Sequence, residues 1–592
     1  VQHFLELKMK YSKFFVGLML ISLSACQIEK TPASVTASIS SSAETITTTP
    51  QPEYTLSPTP SPTSLTVKIL IVNTGLDIVD GDTSNVDNLL SNPGTDGLLS
   101  LREAILASNQ TVGKKQIMFD LSLKDQVIIL GSDLQYSDPR LIITGENISI
   151  DGDADHDGNP DIIISGSMLS QELSSAFILS SRYVSLQNLI FRDFHDFAII
   201  VSCIDDTCST KPFHHIQILN NQIYSDIGGG GVKVFPLNTL ADLSDPSLYS
   251  SINISDIDIT GNTIQVANGQ NEGIYMTAAA AGGSNNRLTN ISITNNIISS
   301  PGSTIAVSAA DGSSACYGLT ETEIFSNKNT VENITIDGNI LDPLGEGRNN
   351  SHPAGIEMFV GNYGNSDNTL SGINIFNNVI SSNARHAIEL FASNNFYIPG
   401  LPISSRAPEN NVIENVLISG NTSNAWDRAI WIYAASGDDP MPEGATGRIS
   451  HVKITGNQIQ GYKFEGIMLN GGIGEKDNLV EDVRIESNII SSLDPAKGLA
   501  LFIISGGGDT CKRISQNNVI MQLVIQNNII NSGNTIYMYG GVYDLAIDNL
   551  IEYYIGENTI TFLDGGTDIM DFLPQLIKDN NGNKVTALDS IP

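Results

Sequence analysis

The chain has 592 residues, of which 41% are hydrophobic and 16% charged, with 52 Gly and a mean hydropathy of zero. That is too apolar for a disordered chain and too rich in Gly and Asn for a helical one. Lys and Arg number 30 against 64 Asp and Glu, a formal charge of −34, which excludes nucleic acid and anionic lipid surfaces as primary partners, while five Cys exclude a disulfide-stapled scaffold.

Met9 reads as the start of a leader. Lys10 and Lys13 precede the apolar run 14–23, which ends in Leu23-Ser24-Ala25-Cys26. A basic start, a short apolar stretch and small residues form an export signal, and the run is too short to span a bilayer. The ending resembles the lipobox of bacterial lipoproteins. The resemblance implies that residues 1–26 are a leader, that Cys26 is lipidated, and that the chain is extracytoplasmic and exposed at a bacterial cell surface, touching the membrane through lipid alone. The other reading is an ordinary secretory signal with an incidental Cys. Residues 27–66 are mostly Ser, Thr and Pro and cannot bury enough to fold, so they are expected to be a disordered, extended spacer.

Residues 67–139 read as an N-terminal cap. Within them LLSLREAILASN, 98–109, is the one convincing helix, with Leu98, Leu101, Ile105 and Leu106 on one face. Ser100-Leu101-Arg102-Glu103-Ala104 resembles the CSLREA segment that precedes β-helices in bacterial surface proteins, with Leu99 where that family carries Cys. Next comes DGDADHDGNPDI, 151–162, in which Asp153, Asp155, Asp157 and Asp161 stand at calcium-loop intervals around Gly158. Ile164 falls where the closing Glu of an EF-hand belongs, so the loop is expected to hold a structural calcium ion without being an EF-hand; a solvated acidic turn is the alternative.

From residue 140 to 565 one pattern recurs: alternating apolar residues, a polar pair ending in Asn, and a further apolar residue. Copies such as IDITGNTI, ISITNNII and VKITGNQI put the last Asn at positions 221, 262, 296, 339, 378, 421, 457, 488, 528 and 558. Alternation means strands, and an irregular step around a constant core means stacked coils with variable loops. A second strand follows most copies, as in GVKVF, GIYMT, GIEMF, AIELF and AIWIY. The recurring Asn suits a left-handed turn, and its amide can pair with the same Asn one coil on. The pattern resembles the right-handed parallel β-helix of the pectin-lyase-like superfamily. It implies an all-β solenoid of about ten or more coils, closed by the helix at one end and by residues 566–592 at the other. A propeller is the weaker all-β reading, since each repeat has too few strands. This superfamily hosts lyases, hydrolases, adhesins and inert spacers alike.

Alternate residues of a strand share a face. In GIEMF, Ile356 and Met358 point inward, so Glu357 and Phe359 point out. Down the stack the same rule turns out Lys233 and Phe235, Tyr275 and Thr277, Ala306 and Ser308, Glu389 and Phe391, Trp431 and Tyr433, Met468 and Asn470, Ala500 and Phe502, and Tyr537 and Tyr539. That is an aromatic stripe with two carboxylates at its middle. Exposed, it would stack on sugar rings; covered by the long loops at 236–255, 309–330, 393–412 and 434–450, it would be packing. Glu357 and Glu389 are expected ~4.8 Å apart along the backbone, nearer the retaining than the inverting spacing of glycosidases. His352, Arg385, His386, Asp427 and Arg428 lie just before these strands.

The candidate catalytic residues are therefore Glu357, Glu389, Asp427, His386, Arg385 and Arg428, with His352, Phe359, Phe391, Trp431, Tyr433, Tyr275 and Tyr537 binding substrate. The expected partner is a polysaccharide or cell-surface glycan, cleaved by a glycosidase or a lyase, by a monomeric chain. In the lyase version Glu357, Glu389 and Asp427 hold calcium and an Arg is the base, as in pectate lyases. The rivals are a non-catalytic glycan-binding adhesin and a structural surface rod. The Gly-His-Gly and Arg-Ile-Lys segments of polygalacturonase-like enzymes are absent. Cys203 and Cys208 can close a small loop, whereas Cys316 and Cys511 stand several coils apart.

Overall fold

The computed structural model describes residues 66–590, apart from 133–137, 172–173, 205–208, 211–212, 237–249, 269–270, 313–322, 345–352, 396–402, 438–440, 493–497, 508–512, 533, 541–545, 563–583 and 589. Cys26, the spacer to residue 65, His352, Cys208, Cys316 and Cys511 lie outside the described residues. Three long parallel sheets of 15, 13 and 12 strands run the length of the described chain as a right-handed parallel β-helix. Most coils contribute one strand to each sheet. In one coil these are Phe213–Leu219 (sheet I), Gln222–Ser225 (sheet II) and Val232–Phe235 (sheet III). Sheet II, built from the apolar residues just after the Asn, is a third strand per coil beyond the two strands evident in the repeat.

Inward residues alternate along sheet I, so that Ile216 and Ile218, Ile257 and Ile259, and Ile373 and Ile375 are buried in one continuous core. Small residues at the entry to sheet III have a steric cause. A Cβ on Gly231 would lie 2.3 Å from the carbonyl oxygen of Gly273, and one on Gly355 2.7 Å from that of Ala387.

All ten repeat asparagines join one ladder. Each Nδ2 donates to the Oδ1 of the next, from Asn221 to Asn558, at 2.9–3.1 Å. In nine of the ten copies the left-handed conformation belongs instead to the first residue of the pair: Asn220 (φ 53°), Asn295 (φ 54°), Asn377 (φ 49°), Asn527 (φ 56°) and Ser487 (φ 57°), with Gly261, Gly338, Gly420 and Gly456 in the others. The two requirements are split between neighbours: one residue turns the chain and the next links the coils. A second ladder, at the corner before sheet I, runs through Asn286, Asn329, Asn368 and Asn411, and again through Asn478, Asn518 and Asn549.

Sheet I begins at Lys68–Val72, which pairs with Lys115–Phe119 and through it with Ile148–Asp151, so coiling starts ahead of residue 140. A short helix, Val86–Ser91, precedes the expected one, Leu101–Asn109. Ser100 caps it, its Oγ accepting from the Glu103 N–H while its own N–H donates to Glu103. This capping box starts the helix three residues after Leu98, which is exposed instead of joining the apolar face; Leu101 and Ile105 are buried. Arg102 is buried in a two-pronged pair with Asp77 at 2.7 and 2.8 Å. At the other end Lys584–Ala587 adds a last strand to sheet I. Cys203 is disulfide-bonded. Among the described residues no helix is long and apolar enough to cross a membrane.

Candidate active site

The outward residues of sheet III stack in two rows. One passes through Lys233, Tyr275, Ala306, Glu357, Glu389, Trp431 and Met468; the other through Thr277, Ser308, Phe359, Phe391, Tyr433 and Asn470. Glu357 and Glu389 are thus direct register partners. Beyond Met468 the rows differ from the sequence expectation. Phe502 pairs with Met468 and Tyr537, while Ile504 pairs with Asn470 and Tyr539, because the strand Leu499–Ile504 aligns its Leu501 with Ile467. Ala500 is therefore not in the row of Met468.

The aromatic stripe is not an open platform. Phe359, Phe391, Trp431, Tyr433, Met468 and Ile504 form a second apolar cluster on the outside of the sheet, all less than a tenth exposed. Three of the rings pack on one another in register. Phe391 lies on Tyr433 with centroids 4.1 Å apart, and Trp431 is 5.1 Å from Tyr433 and 5.9 Å edge-on from Phe391. Rings repeated every coil bury one another, which alternation alone does not reveal. Tyr275 is also buried, its hydroxyl donating to Asp311 at 2.5 Å. Tyr537 is half-buried and lies four rungs from Glu389, roughly 19 Å along the stack, outside any shared site.

The polar residues do converge. Ser303 donates its hydroxyl to Glu357 at 2.7 Å. His386 Nε2 lies 3.3 Å from Glu389 Oε1 and 3.9 Å from Asp427 Oδ2. Arg385 Nε donates to Asp427 at 2.6 Å, and Arg428 pairs with Glu465 at 2.7 Å while its guanidinium sits 4.7 Å over Trp431. His386, Glu389 and Asp427 are buried; Glu357 is half-buried. Burial lifts the Glu389 carboxyl well above the ordinary range, and the neighbouring Glu357 charge lifts it further against the pull of Arg385 and Arg428. Burial likewise raises Glu357 and Glu465. Glu272, which senses the Glu357 charge, is pushed up to about 8, mainly by burial. Among the described residues, Asp427 Oδ1 and Trp431 Nε1 are buried without a hydrogen-bond partner.

Glu272, Ser303, Asp311, Asn362 and Glu465 join this face without having been singled out from the sequence. Glu465 was legible in part: it stands immediately before GIMLN, in register with Arg428. Asp311 and Asn362 lie at the far ends of their strands, where Asn362 Nδ2 donates to Asp311 at 3.0 Å, and the repeat gives no signal there.

Asp427, the third carboxylate of the calcium arrangement expected of a lyase, is paired with Arg385. In the 151–162 loop, Asp153, Asp155 and Asp161 do converge, their ligand atoms within 4.8 Å of one another, while Asp157 is turned away onto Asn159. Lys124 reaches into that loop, paired with Asp155 and lying 3.2 Å from Asp161, and backbone N–H groups of Ala154 and Gly158 donate to Asp161 and Asp153.

No protein-family model and no curated protein sequence matches the chain. Among solved structures it is similar to the A-module of a mannuronan C-5 epimerase from Azotobacter vinelandii, at 8% identity over 82% of this chain and 95% of that one, with a TM-score of 0.35. It is similar to the catalytic domain of a family 87 α-1,3-glucanase at 12% identity, covering 78% of this chain and 67% of that one, TM-score 0.32. It is also similar to a mannuronic acid-specific family 6 polysaccharide lyase from human gut microbiota, at 10% identity over 79% and 90% of the two chains, TM-score 0.29.

Proposed function

We propose that the chain is a surface glycosidase acting on extended polysaccharide at the outward face of sheet III, with Glu389 as the proton donor and Glu357 as the second carboxylate. The observation that carries this is the pair itself: two carboxyl groups in register on neighbouring coils, both desolvated on an outward face where a merely structural rod has no need of them. Glu389, the more strongly raised, is held toward its protonated form by burial and can protonate a glycosidic oxygen. Glu357 has an open side toward solvent and takes the role of base or nucleophile. His386 adjoins Glu389 and can return its proton. The buried rings hold this constellation in place rather than carrying the sugar. The substrate approaches from the side of Glu357, Asp311 and Asn362. Hydrolysis is favoured over elimination because both candidate bases are tied to carboxylates, Arg385 to Asp427 and Arg428 to Glu465.

The test is a panel of neutral and uronic polysaccharides assayed for released reducing ends and for unsaturated ends. Hydrolysis by the native chain, lost in Glu389→Gln with binding retained, supports the reading. Unsaturated ends assign a lyase instead. Binding without turnover by the native chain assigns an adhesin. Neither binding nor turnover across the panel leaves a structural rod.

A further inference from the structure

We propose a zinc site on the outer surface of sheet I, formed by His214, His215 and Asp256, remote in sequence and sheet from the glutamate pair. In sheet I, His214 pairs with Ser255 and Ile216 with Ile257, so His215 and Asp256 face one another at a bulge between those pairs. Both are left-handed (φ 59° and 55°), and the bulge recurs in the next coils at Asn290, Asn333 and Asn415. Side chains at these positions stack coil on coil: Asn290 Nδ2 donates to Asp256 at 2.9 Å and Asn333 to Asn290 at 3.2 Å.

At His215 the ladder changes chemistry. The Nδ1 atoms of His214 and His215 approach to 2.7 Å, and His215 Nδ1 lies 3.6 Å from Asp256 Oδ2. The three ligand atoms all lie within 4.8 Å of one another. Two donors on one tetrahedral zinc lie roughly 3.3 Å apart, which these separations bracket. Two imidazoles and one carboxylate are a borderline donor set that favours zinc over calcium or magnesium, and three protein ligands leave the fourth position to water or a small anion. The outer contacts fit as well. Asn290 holds the other Asp256 oxygen, and Tyr183, the bulge residue of the preceding coil, packs 4.8 Å from both imidazole rings. The charged groups facing the cluster from the preceding coils, Arg182 and Glu146, are paired with one another at 2.8 Å. A zinc ion here ties together the two coils that carry Phe213–Leu219 and Asn253–Thr260.

The chain contains its own control. His451 occupies the same left-handed bulge (φ 55°) over Asp482 (φ 49°), but Ser450 stands where His214 does. It is a His–Asp pair without the second imidazole.

The experiment is calorimetric titration of the untagged chain with zinc chloride, with melting temperatures measured in parallel. One equivalent is expected to bind and to raise the melting temperature. His214→Gln, His215→Asn and Asp256→Asn should each weaken binding by at least about tenfold. His451→Asn should change neither quantity. Asn is what Asn290, Asn333 and Asn415 supply at the same bulge, so the substitution at 215 keeps it; melting without metal checks that every variant is folded. Absence of zinc binding by the native chain, binding unaltered by all three substitutions, or equal loss in His451→Asn overturns the proposal.

Discussion

Asn378→Ala tests the ladder where it matters most, because this rung joins the coils that carry Glu357, Glu389 and Trp431. Asn378 Oδ1 accepts from the N–H of Asn339 at 3.0 Å and from its Nδ2 at 2.9 Å. Asn378 Nδ2 donates to the carbonyl of Ile336 at 2.9 Å and to Asn421 Oδ1 at 3.0 Å. All four bonds are buried. At a net value of about 1 kcal/mol each, and with a stranded backbone N–H costing about 1–3 kcal/mol more, the loss is ~5 kcal/mol. Asn378→Asp keeps the acceptor but turns a carboxylate toward the Ile336 carbonyl, so it is expected to be no milder. Asn558→Ala, at the half-buried last rung where water can replace the lost partners, should cost ~1 kcal/mol. Stacked repeats couple mainly to their neighbours, so urea unfolding of the Asn378 variants should also broaden or split, as the rod divides at the weakened rung. A loss below about 1 kcal/mol with an unchanged single transition, or equal effects at Asn378 and Asn558, would refute the view that the ladder sets the register.

Further outcomes follow from the charges. Glu272 is protonated in the folded chain up to about pH 8 and ionises near 4.5 when unfolded, so the unfolded state binds fewer protons between those values and stability falls as pH rises through them. Glu272→Gln should flatten that slope and raise the melting temperature at pH 8 but not at pH 4; no difference between the two pH values contradicts the assignment. We propose that Asp153, Asp155 and Asp161 bind calcium when Lys124 swings out: calcium should raise the melting temperature, and Lys124→Gln should lower the concentration needed, whereas indifference to millimolar calcium excludes the site. Cys26→Ser should abolish lipid attachment and release the chain from membranes, read by mass spectrometry and fractionation; an unchanged mass and distribution refutes the anchor.

The architecture was legible because the repeat encodes its own geometry. Ile-x-Ile alternation sets the inward face, and the Asn that ends each copy proves to be the rung itself, from Asn221 to Asn558. Which residue of the polar pair turns the chain was not legible, since Asn suits both tasks; only the copies with Gly-Asn, such as Gly261-Asn262, separate them. In the candidate site, register alone brought Glu357 onto Glu389 and His386 onto Arg428. Exposure was not legible. Alternation tells a strand's two faces apart, but it does not say whether the outer one meets water or other rings, and here Phe391, Trp431 and Tyr433 meet one another.

Stacking in register multiplies whatever a position carries, and the consequence depends on the side chain. Repeated Asn gives a ladder whose every amide is used twice. Repeated aromatics give a second core, which turns an expected sugar platform into a wall. Repeated carboxylates cannot be satisfied by one another, so the charge of Glu357 raises the proton affinity of Glu389, and the two depend on neighbours of another kind, Ser303 and His386, for partners. A structural rod has no reason to keep such a pair when Asn or Thr at the same two positions would stack without cost. The argument for chemistry on this face therefore rests on the step from Ala306 to Glu357, where the outward row changes from small and neutral to acidic, and on the step from Glu389 to Trp431, where it changes back.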